Sequence, residues 1–428
     1  MIRKTHLIAR TALAAALAFG VAGAGFVATP ALAKDAAPKQ APPKLSPEFM
    51  KLAGPFQTQL NAAQTAKDAA KAAALVPQWE ALAAAAKTPD DQFFAGQFGI
   101  GISQLTKDQA LQARALELAV NSGKMTGPEL GKFAFFLGAA KLNTKDYAGA
   151  QAAFAKAKEA GYADPDLPAL TAESYFGQGQ TQAGLDLLWQ GIEARRASGT
   201  PAPKEWYMRG LALAYRGKMY DQALKFAVGN ATYYPSTDNW GDAIGLARTA
   251  GKYQAQETLD VMRLAQRIGS MRDTNDYAEY IQAADARRSP GEVLKVINAG
   301  LAAGKLSATD VFVSDARTQA QGRLAADKAS LPALERDARA PAATAATVMA
   351  GADTFLSYDD AAKAEALYQI ALTKPGVDAD RANTRLGIAQ FDQGKYAEAQ
   401  ASFAKVGGQR KQIADLWSAY AAQKAKGG

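Results

Sequence analysis

Cysteine is absent from the 428-residue sequence, and histidine occurs once, as His6. Without cysteine the chain has no disulfide, no thiolate nucleophile and no thiol for a lipid anchor. Beyond residue 6 it also has no imidazole. Ser-His-Asp and Cys-His catalysis, zinc sites built from His or Cys, and haem attachment through Cys are thereby excluded for everything downstream. Carboxylates, Lys, Tyr and Ser/Thr are what remains for chemistry. Strictly alternating Val-Ile runs are missing, which argues against strands. Charge runs of one sign are missing too. The formal net charge of +8 includes Arg3, Lys4 and Arg10, so the chain without them carries +5, with acids and bases interspersed. A basic stripe for nucleic acid looks different, and no nucleic-acid partner is expected.

What is present begins with a targeting segment. "MIRKTHLIAR" is basic without an acid, "TALAAALAFGVAGAGFVA" is apolar, and "TPALA" ends in the small residues Ala31 and Ala33. This order predicts a signal peptide over 1–33, cleaved after Ala33, and a periplasmic protein; an uncleaved anchor is the alternative. No later run is apolar and long enough to span a bilayer. Residues 34–48, "KDAAPKQAPPKLSPE", read as an extended, flexible lead-in.

From Phe49 onward the chain is rich in Ala, Leu, Gln and Lys with apolar residues at helical spacing, and Gly or Pro separates stretches of helix length. Short turns recur at Lys145, Gly179, Gly217, Gly251, Arg288, Gly322, Asp359 and Gly394, with intervals of 34, 38, 34, 37, 34, 37 and 35 residues. The residues around them agree. "FLGAAKLNTKDYAGAQAAFAKA" (136–157) and "RLGIAQFDQGKYAEAQASFAKV" (385–406) share Leu-Gly in a first helix (Leu137-Gly138, Leu386-Gly387). Both then place Tyr after the turn (Tyr147, Tyr396), followed by Ala (Ala150, Ala399) and Phe (Phe154, Phe403). Trp206 and Trp240 open two further copies, 34 residues apart. The large aromatics at these positions read as packing residues.

A repeat of this period and text resembles the tetratricopeptide repeat family. The resemblance is strong over 134–260 and 348–406 and weaker over 275–345, weakest around Gly322. It implies an all-α fold: a right-handed α-solenoid of stacked antiparallel helix pairs. The organisation expected is Ala-rich helix pairs over 49–130, repeats over 131–408, and a terminal capping helix and tail over 409–428. In that last segment Ile413, Leu416, Trp417 and Tyr420 form the apolar side. The stretch 305–345 reads as a divergent repeat, with a break between two sub-arrays as the alternative.

The resemblance also implies that a protein or extended peptide binds along the concave groove, lined by the first helix of each pair. Mapping those positions gives Phe135, Glu173, Phe176, Lys204, Tyr207, Tyr215 and Arg248 as candidate partner-binding residues. Tyr207 and Tyr215, eight apart, are expected to share a face, and Arg248 would complete an aromatic–cationic patch. The alternative is that one Tyr packs inside and Arg248 is a solvated charge. The Lys/Asn carboxylate clamp of the chaperone-binding subfamily is not matched: Tyr207, Leu211, Gly241 and Gly245 stand there instead.

Asp164 with Asp166, Asp359 with Asp360, and Asp378 with Asp380 fall at turns or helix starts and read as caps, not as catalytic pairs. "FGIGIS" (98–103) lacks the strand–turn–helix context of a phosphate loop. No cofactor or metal is expected. The leading expectation is an exported, non-enzymatic scaffold for cell-envelope proteins. The alternatives are a glycan- or small-ligand-binding module and, with no room for a catalytic domain after Val406, a cell-wall lytic enzyme.

Overall fold

The computed structural model describes residues 43–427, so the expected signal peptide and residues 34–42 of the lead-in lie outside the described residues. The chain divides into two compact units, with the boundary between Glu205 and Trp206. All regular structure among the described residues is helical, and no helix there is long and apolar enough to cross a membrane.

The first unit holds α1 (Pro47–Ala66), α2 (Ala69–Ala74), α3 (Val76–Ala84), α4 (Pro89–Thr106), α5 (Gln109–Asn121), α6 (Gly127–Asn143), α7 (Tyr147–Glu159), α8 (Leu167–Gly177) and α9 (Thr181–Ala197). Helices α4 and α5, α6 and α7, and α8 and α9 pack as consecutive pairs, while α1, α2 and α3 together cover α4. The N-terminal region thus contains one regular pair and a three-helix cover, where the sequence suggested pairs throughout. The described end of the lead-in is also firmer than its composition suggests. Asp90 and Asp91, at the start of α4, accept the backbone N–H groups of Lys44 (2.8 Å) and Ser46 (2.9 Å). Asp91 also accepts from the N–H of Thr88, whose hydroxyl caps α4 in return. Burial opposes the charge on Asp91, but the N–H donors of Ser46, Thr88 and Lys87 outweigh it and hold its carboxyl below the usual range. The glycines of "FGIGIS" lie in α4, where a Cβ on Gly99 would stand 2.6 Å from Ala115 of α5. They are packing positions.

The second unit starts within the first turn of α10 (Lys204–Arg216). It continues through α11 (Tyr220–Tyr233), α12 (Thr237–Gly251), α13 (Ala255–Ile268), α14 (Thr274–Ala284), α15 (Pro290–Ala302), α16 (Val311–Arg339), α17 (Ala345–Ser357), α18 (Ala361–Ala371), α19 (Ala379–Asp392), α20 (Tyr396–Phe403) and α21 (Lys411–Ala425).

The pair turns are made as the repeat text requires. Lys145, Gly179, Asp359 and Gly394 take the left-handed conformation, and Lys218 and Lys252 do so one residue after the predicted Gly217 and Gly251. After two of these turns the next side chain starts the second helix, Asp146 capping α7 and Asp360 capping α18; Asp378, between two pairs, caps α19.

The contact inside a pair is tight. A Cβ on Gly138 (α6) would stand 2.4 Å from the ring of Phe154 (α7). Gly210 (α10) meets Phe226 (α11) at 2.3 Å, and Gly387 (α19) meets Phe403 (α20) at 2.4 Å. The aromatic of the second helix therefore rests on the bare backbone of the first. In the α8–α9 pair the partners are exchanged, with Gly184 of α9 against Phe176 of α8.

The turn predicted at Gly322 does not exist. Gly322 lies inside α16, a single helix of 29 residues that also runs through Pro332. The residues after Gly322 are Arg323, Leu324, Ala325 and Ala326. None offers a side-chain cap, and Ala favours helix over any other conformation. Where two short helices were expected, one continuous and largely exposed helix stands between α15 and α17, burying Val313, Ala320 and Ala338.

The end of the second unit does more than cap its last pair. Helix α21 packs on α20 and α19, and also on α11, α12 and α13. Trp240 of α12 donates to Gln423 (2.8 Å), Tyr253 donates to Gln412 (3.2 Å), and the Trp417 indole donates to the carbonyl of Asp260 (2.9 Å). Arg267 of α13 pairs with Asp392 of α19 and lies over the Trp417 ring. Ile413, Leu416, Trp417 and Tyr420 are all buried. Early and late helices of this unit are therefore joined directly.

Replacing Phe154 by Ala should cost about 3–5 kcal/mol through the cavity it leaves. Gly138→Ala should cost about 1–3 kcal/mol by overpacking. In a Phe154→Leu background the Gly138→Ala penalty should shrink. Urea denaturation of the four proteins as a double-mutant cycle checks this; additivity of the two penalties would contradict the glycine-on-ring contact.

Candidate functional site

Within each unit the predicted partner-binding residues do not form the expected exposed patch. Phe135 is buried against Phe136 (5.5 Å between centroids), Phe154 (6.1 Å) and Tyr162 (5.4 Å). Phe176 packs on Gly184, and Glu173 sits half-buried on the same helix. Lys204 is half-buried in the first turn of α10. Tyr207 and Tyr215 do not share a face: Tyr207 is 0% exposed and Tyr215 is 57% exposed. Eight residues advance a helix by two turns plus about 80°, enough to turn one ring in and the other out. Tyr207 stacks on Tyr233 (6.0 Å, 18°) and meets Tyr234 edge-on (6.1 Å), whereas Tyr215 touches Tyr220 edge-on (6.1 Å). Arg248 is neither in such a patch nor a solvated charge, because Asp276 and Glu279 of α14 both pair with it.

Around Tyr215 the structure brings together a different set. Met208 (51% exposed), Leu211, Ala212 and Tyr215 follow one another at i, i+3, i+4 and i+7 along α10, so they form one stripe. The buried side of the same helix carries Trp206, Tyr207, Gly210 and Ala214. Helix α10 is thus apolar on two faces, one of which faces solvent.

Sequence reasoning missed the second feature, an arginine-lined cavity of 560 Å³ inside the second unit. Its walls come from α13, the α14–α15 turn, α17, the α18–α19 turn and α19. Two of its arginines are fully committed to ion pairs. Arg263 of α13 is bidentate to Glu292 (2.8 and 2.7 Å) and reaches Asp260 (3.3 Å). Arg385 of α19 donates to Asp260 (3.0 Å), pairs with Asp353 (2.8 Å) and donates to the Gln256 side chain (2.9 Å). Asp260 also takes Arg410 at 2.6 Å, so one carboxylate joins α13, α19 and the residue before α21. Burial opposes the charge on Asp260, but Arg385, Arg410 and Arg263 outweigh it and hold the carboxyl below its usual value of 3.8. Asp353 of α17 is arranged alike: burial is outweighed by Arg385 and Arg381, with the Tyr368 hydroxyl donating at 2.7 Å.

The remaining arginines have donors to spare. Arg381 pairs with Asp353 through one terminal nitrogen, while its Nε is buried without a hydrogen-bond partner. Arg288 lies 3.8 Å from Asp285 and is 74% exposed. The signal that could have found this region is charge within otherwise apolar helix text, "TLDVMRLA" (258–265) and "RANTRLG" (381–387).

No protein-family model matches the chain, and no curated protein matches it in sequence. Solved structures do match, 64 chains in all. The TPR2AB domain of yeast Sti1, solved as its pHSP90 complex, is 14% identical with a TM-score of 0.25, over 70% of this chain and 97% of that one. Naa15/Naa10 bound to HypK-THB is 14% identical with a TM-score of 0.33, over 88% and 72%. The pentatricopeptide repeat protein PPR10 from maize is 11% identical with a TM-score of 0.25, over 86% and 62%. At such scores nothing about partners or chemistry transfers from them. The class of protein is defined by the helices themselves: an all-α stack of antiparallel helix pairs.

Asp260→Asn should destabilise the second unit by about 3–5 kcal/mol, because it strands buried guanidiniums. Since Asp260 and Asp353 ionise more readily in the folded than in the unfolded chain, their charged forms favour folding above their usual value of 3.8. That contribution should hold from pH 8 to about pH 5 and be lost as the pH falls below about 4. Thermal melting across this range, monitored by circular dichroism, checks both statements. A loss of stability near neutral pH in the unmodified protein would contradict the assignment.

Proposed function

We propose that the protein is a non-enzymatic scaffold of the bacterial periplasm that holds a protein or an extended peptide of the cell envelope. The observation carrying this reading is the solvent-facing apolar stripe of α10. Met208, Leu211, Ala212 and Tyr215 repeat the i, i+3, i+4, i+7 spacing with which one helix presents anchors to a partner. Tyr is a favoured anchor type, with large contact area and few rotamers to immobilise. The export signal that the sequence leads us to expect over 1–33 supports the compartment, and the absence of Cys and of any His beyond His6 supports a role without catalysis.

A photo-crosslinking residue at position 215 in the native host should capture one envelope protein, identifiable by mass spectrometry. The same probe at the exposed Glu398 on α20 should not. Tyr215→Ala should lower recovery of that protein and leave the melting temperature unchanged within about 2 °C, as for an exposed substitution in a unit of this size. Equal capture from both positions, or none from either, would rule out the α10 stripe as the docking face.

A further inference from the structure

We infer that the α10 stripe receives an acidic amphipathic helix, whose carboxylates lie beside its apolar anchors. The inference rests on the docking face proposed above and names what that face takes.

The form of the partner follows from backbone bonding. From Met208 to Tyr215 the stripe covers about 10 Å of helix axis, close to two turns. The N–H and C=O groups of α10 along it are spent within the helix. An extended strand laid there would find no backbone partner, and its own groups would be covered and unpaired. A helix satisfies its backbone internally and presents anchors at the same i, i+3, i+4 and i+7 spacing.

The charge of the partner follows from the rim. Arg216 stands directly after Tyr215, and Lys218 lies in the turn that ends α10. Both are exposed, and neither makes an ion pair among the described residues. The bias extends beyond them. From Trp206 to the end of α11 the bases are Arg209, Arg216, Lys218 and Lys225, and the acid is Asp221. Asp221 already accepts from Gln412 (3.0 Å). In the first turn of α10, Lys204 and Glu205 offset each other. Four bases against one acid give this helix pair +3 of the +5 that the chain carries beyond Arg10. Carboxylates are drawn to such a rim, which speeds encounter and fixes register.

Other occupants match this charge less well. A second copy of the chain would bring the same positive rim against itself. The chain's own N-terminal segment is basic, with Arg3, Lys4 and Arg10 and no acid before Asp35. An anionic bilayer is held by clusters of about four to eight bases on one segment, more than Arg216 and Lys218 provide at the stripe.

The test titrates the full protein into labelled peptides about five turns long, read by fluorescence anisotropy at low salt. One is a helix with a Leu stripe flanked by Glu, and the second carries Lys in place of Glu. The third is the Glu peptide scrambled so that no stripe forms. The Glu helix should bind at least about tenfold more tightly than either other peptide, and should weaken as salt rises. Arg216→Glu combined with Lys218→Glu should invert the preference between Glu and Lys helices. Tyr215→Ala should weaken the Glu helix at least about fivefold. All three positions are exposed, and the variants should melt as the parent does. The inference is overturned if Glu and Lys helices bind alike, or if the scrambled peptide binds as well as the helix. It is overturned if the double reversal leaves the preference unchanged, or if phosphatidylglycerol vesicles recruit the protein and the Glu helix does not. No binding of any peptide at about 300 µM protein, within reach of a small, weak interface, would also overturn it. A Lys helix held through Tyr215 would overturn the acidic partner and leave the docking face standing. Glu-helix binding that Tyr215→Ala does not alter would remove both.

Discussion

An ionised carboxylate at the position of Asp260, with no exposed surface, is unsustainable unless it is matched, since desolvation costs several kcal/mol per ion. The match comes from three guanidiniums that the chain supplies from Arg263, Arg385 and Arg410. Only Arg263 is a sequence neighbour. The other two reach Asp260 only when α19 and the start of α21 lie against α13. Folding of the second unit and neutralisation of that charge are therefore one event. The rest of the inner network follows from it: Arg385 brings Asp353, Asp353 brings Arg381 and Tyr368, and Arg263 brings Glu292 and Tyr280. Such a network is weak evidence for stability, because apolar packing of the same volume is often as stable or more so, whereas removing one of its partners is costly. It leaves walls that can be polar and rigid around a cavity.

Around that centre the helices obey a simpler rule. A pair brings its two backbones close by placing a bare glycine under an aromatic ring, as at Gly138, Gly210 and Gly387. This distance sets how each second helix stacks, and the leftover apolar faces must be covered by neighbours. Helix α16 departs from the rule. It replaces a pair by one helix and is held mainly by its edges, with Asp327 accepting from Tyr358 and Glu335 pairing with Lys363.

The all-helical class, most of the turns and the packing role of Phe154, Phe403, Trp206 and Trp240 were legible in the sequence, because each is written in local text: a period, a small residue opposite an aromatic, a cap after a turn. Two things were not. The fusion of α16 depends on what fails to follow Gly322, and a turn is easier to recognise than its absence. The ionic centre and the cavity depend on pairs 125 to 150 residues apart, such as Arg385 and Arg410 with Asp260. No period relates them. The groove assignment failed at Tyr207 and Tyr215 for a geometric reason, since a spacing of eight is not a whole number of helical turns.

The order in which the chain can fold follows from the placement of α21. Pairs such as α6–α7 need only adjacent text and can close as soon as both helices exist. Asp260, in contrast, has a local partner in Arg263 and must wait for residues far downstream before it is fully matched. Long-range closure of this kind is slow, because the loop entropy must be overcome before the contacts reward it. During that interval the apolar side of α21 and the faces of α11 to α13 that receive it are exposed together. A partner that bound α13 or α21 during this interval would act as a folding factor as much as a ligand.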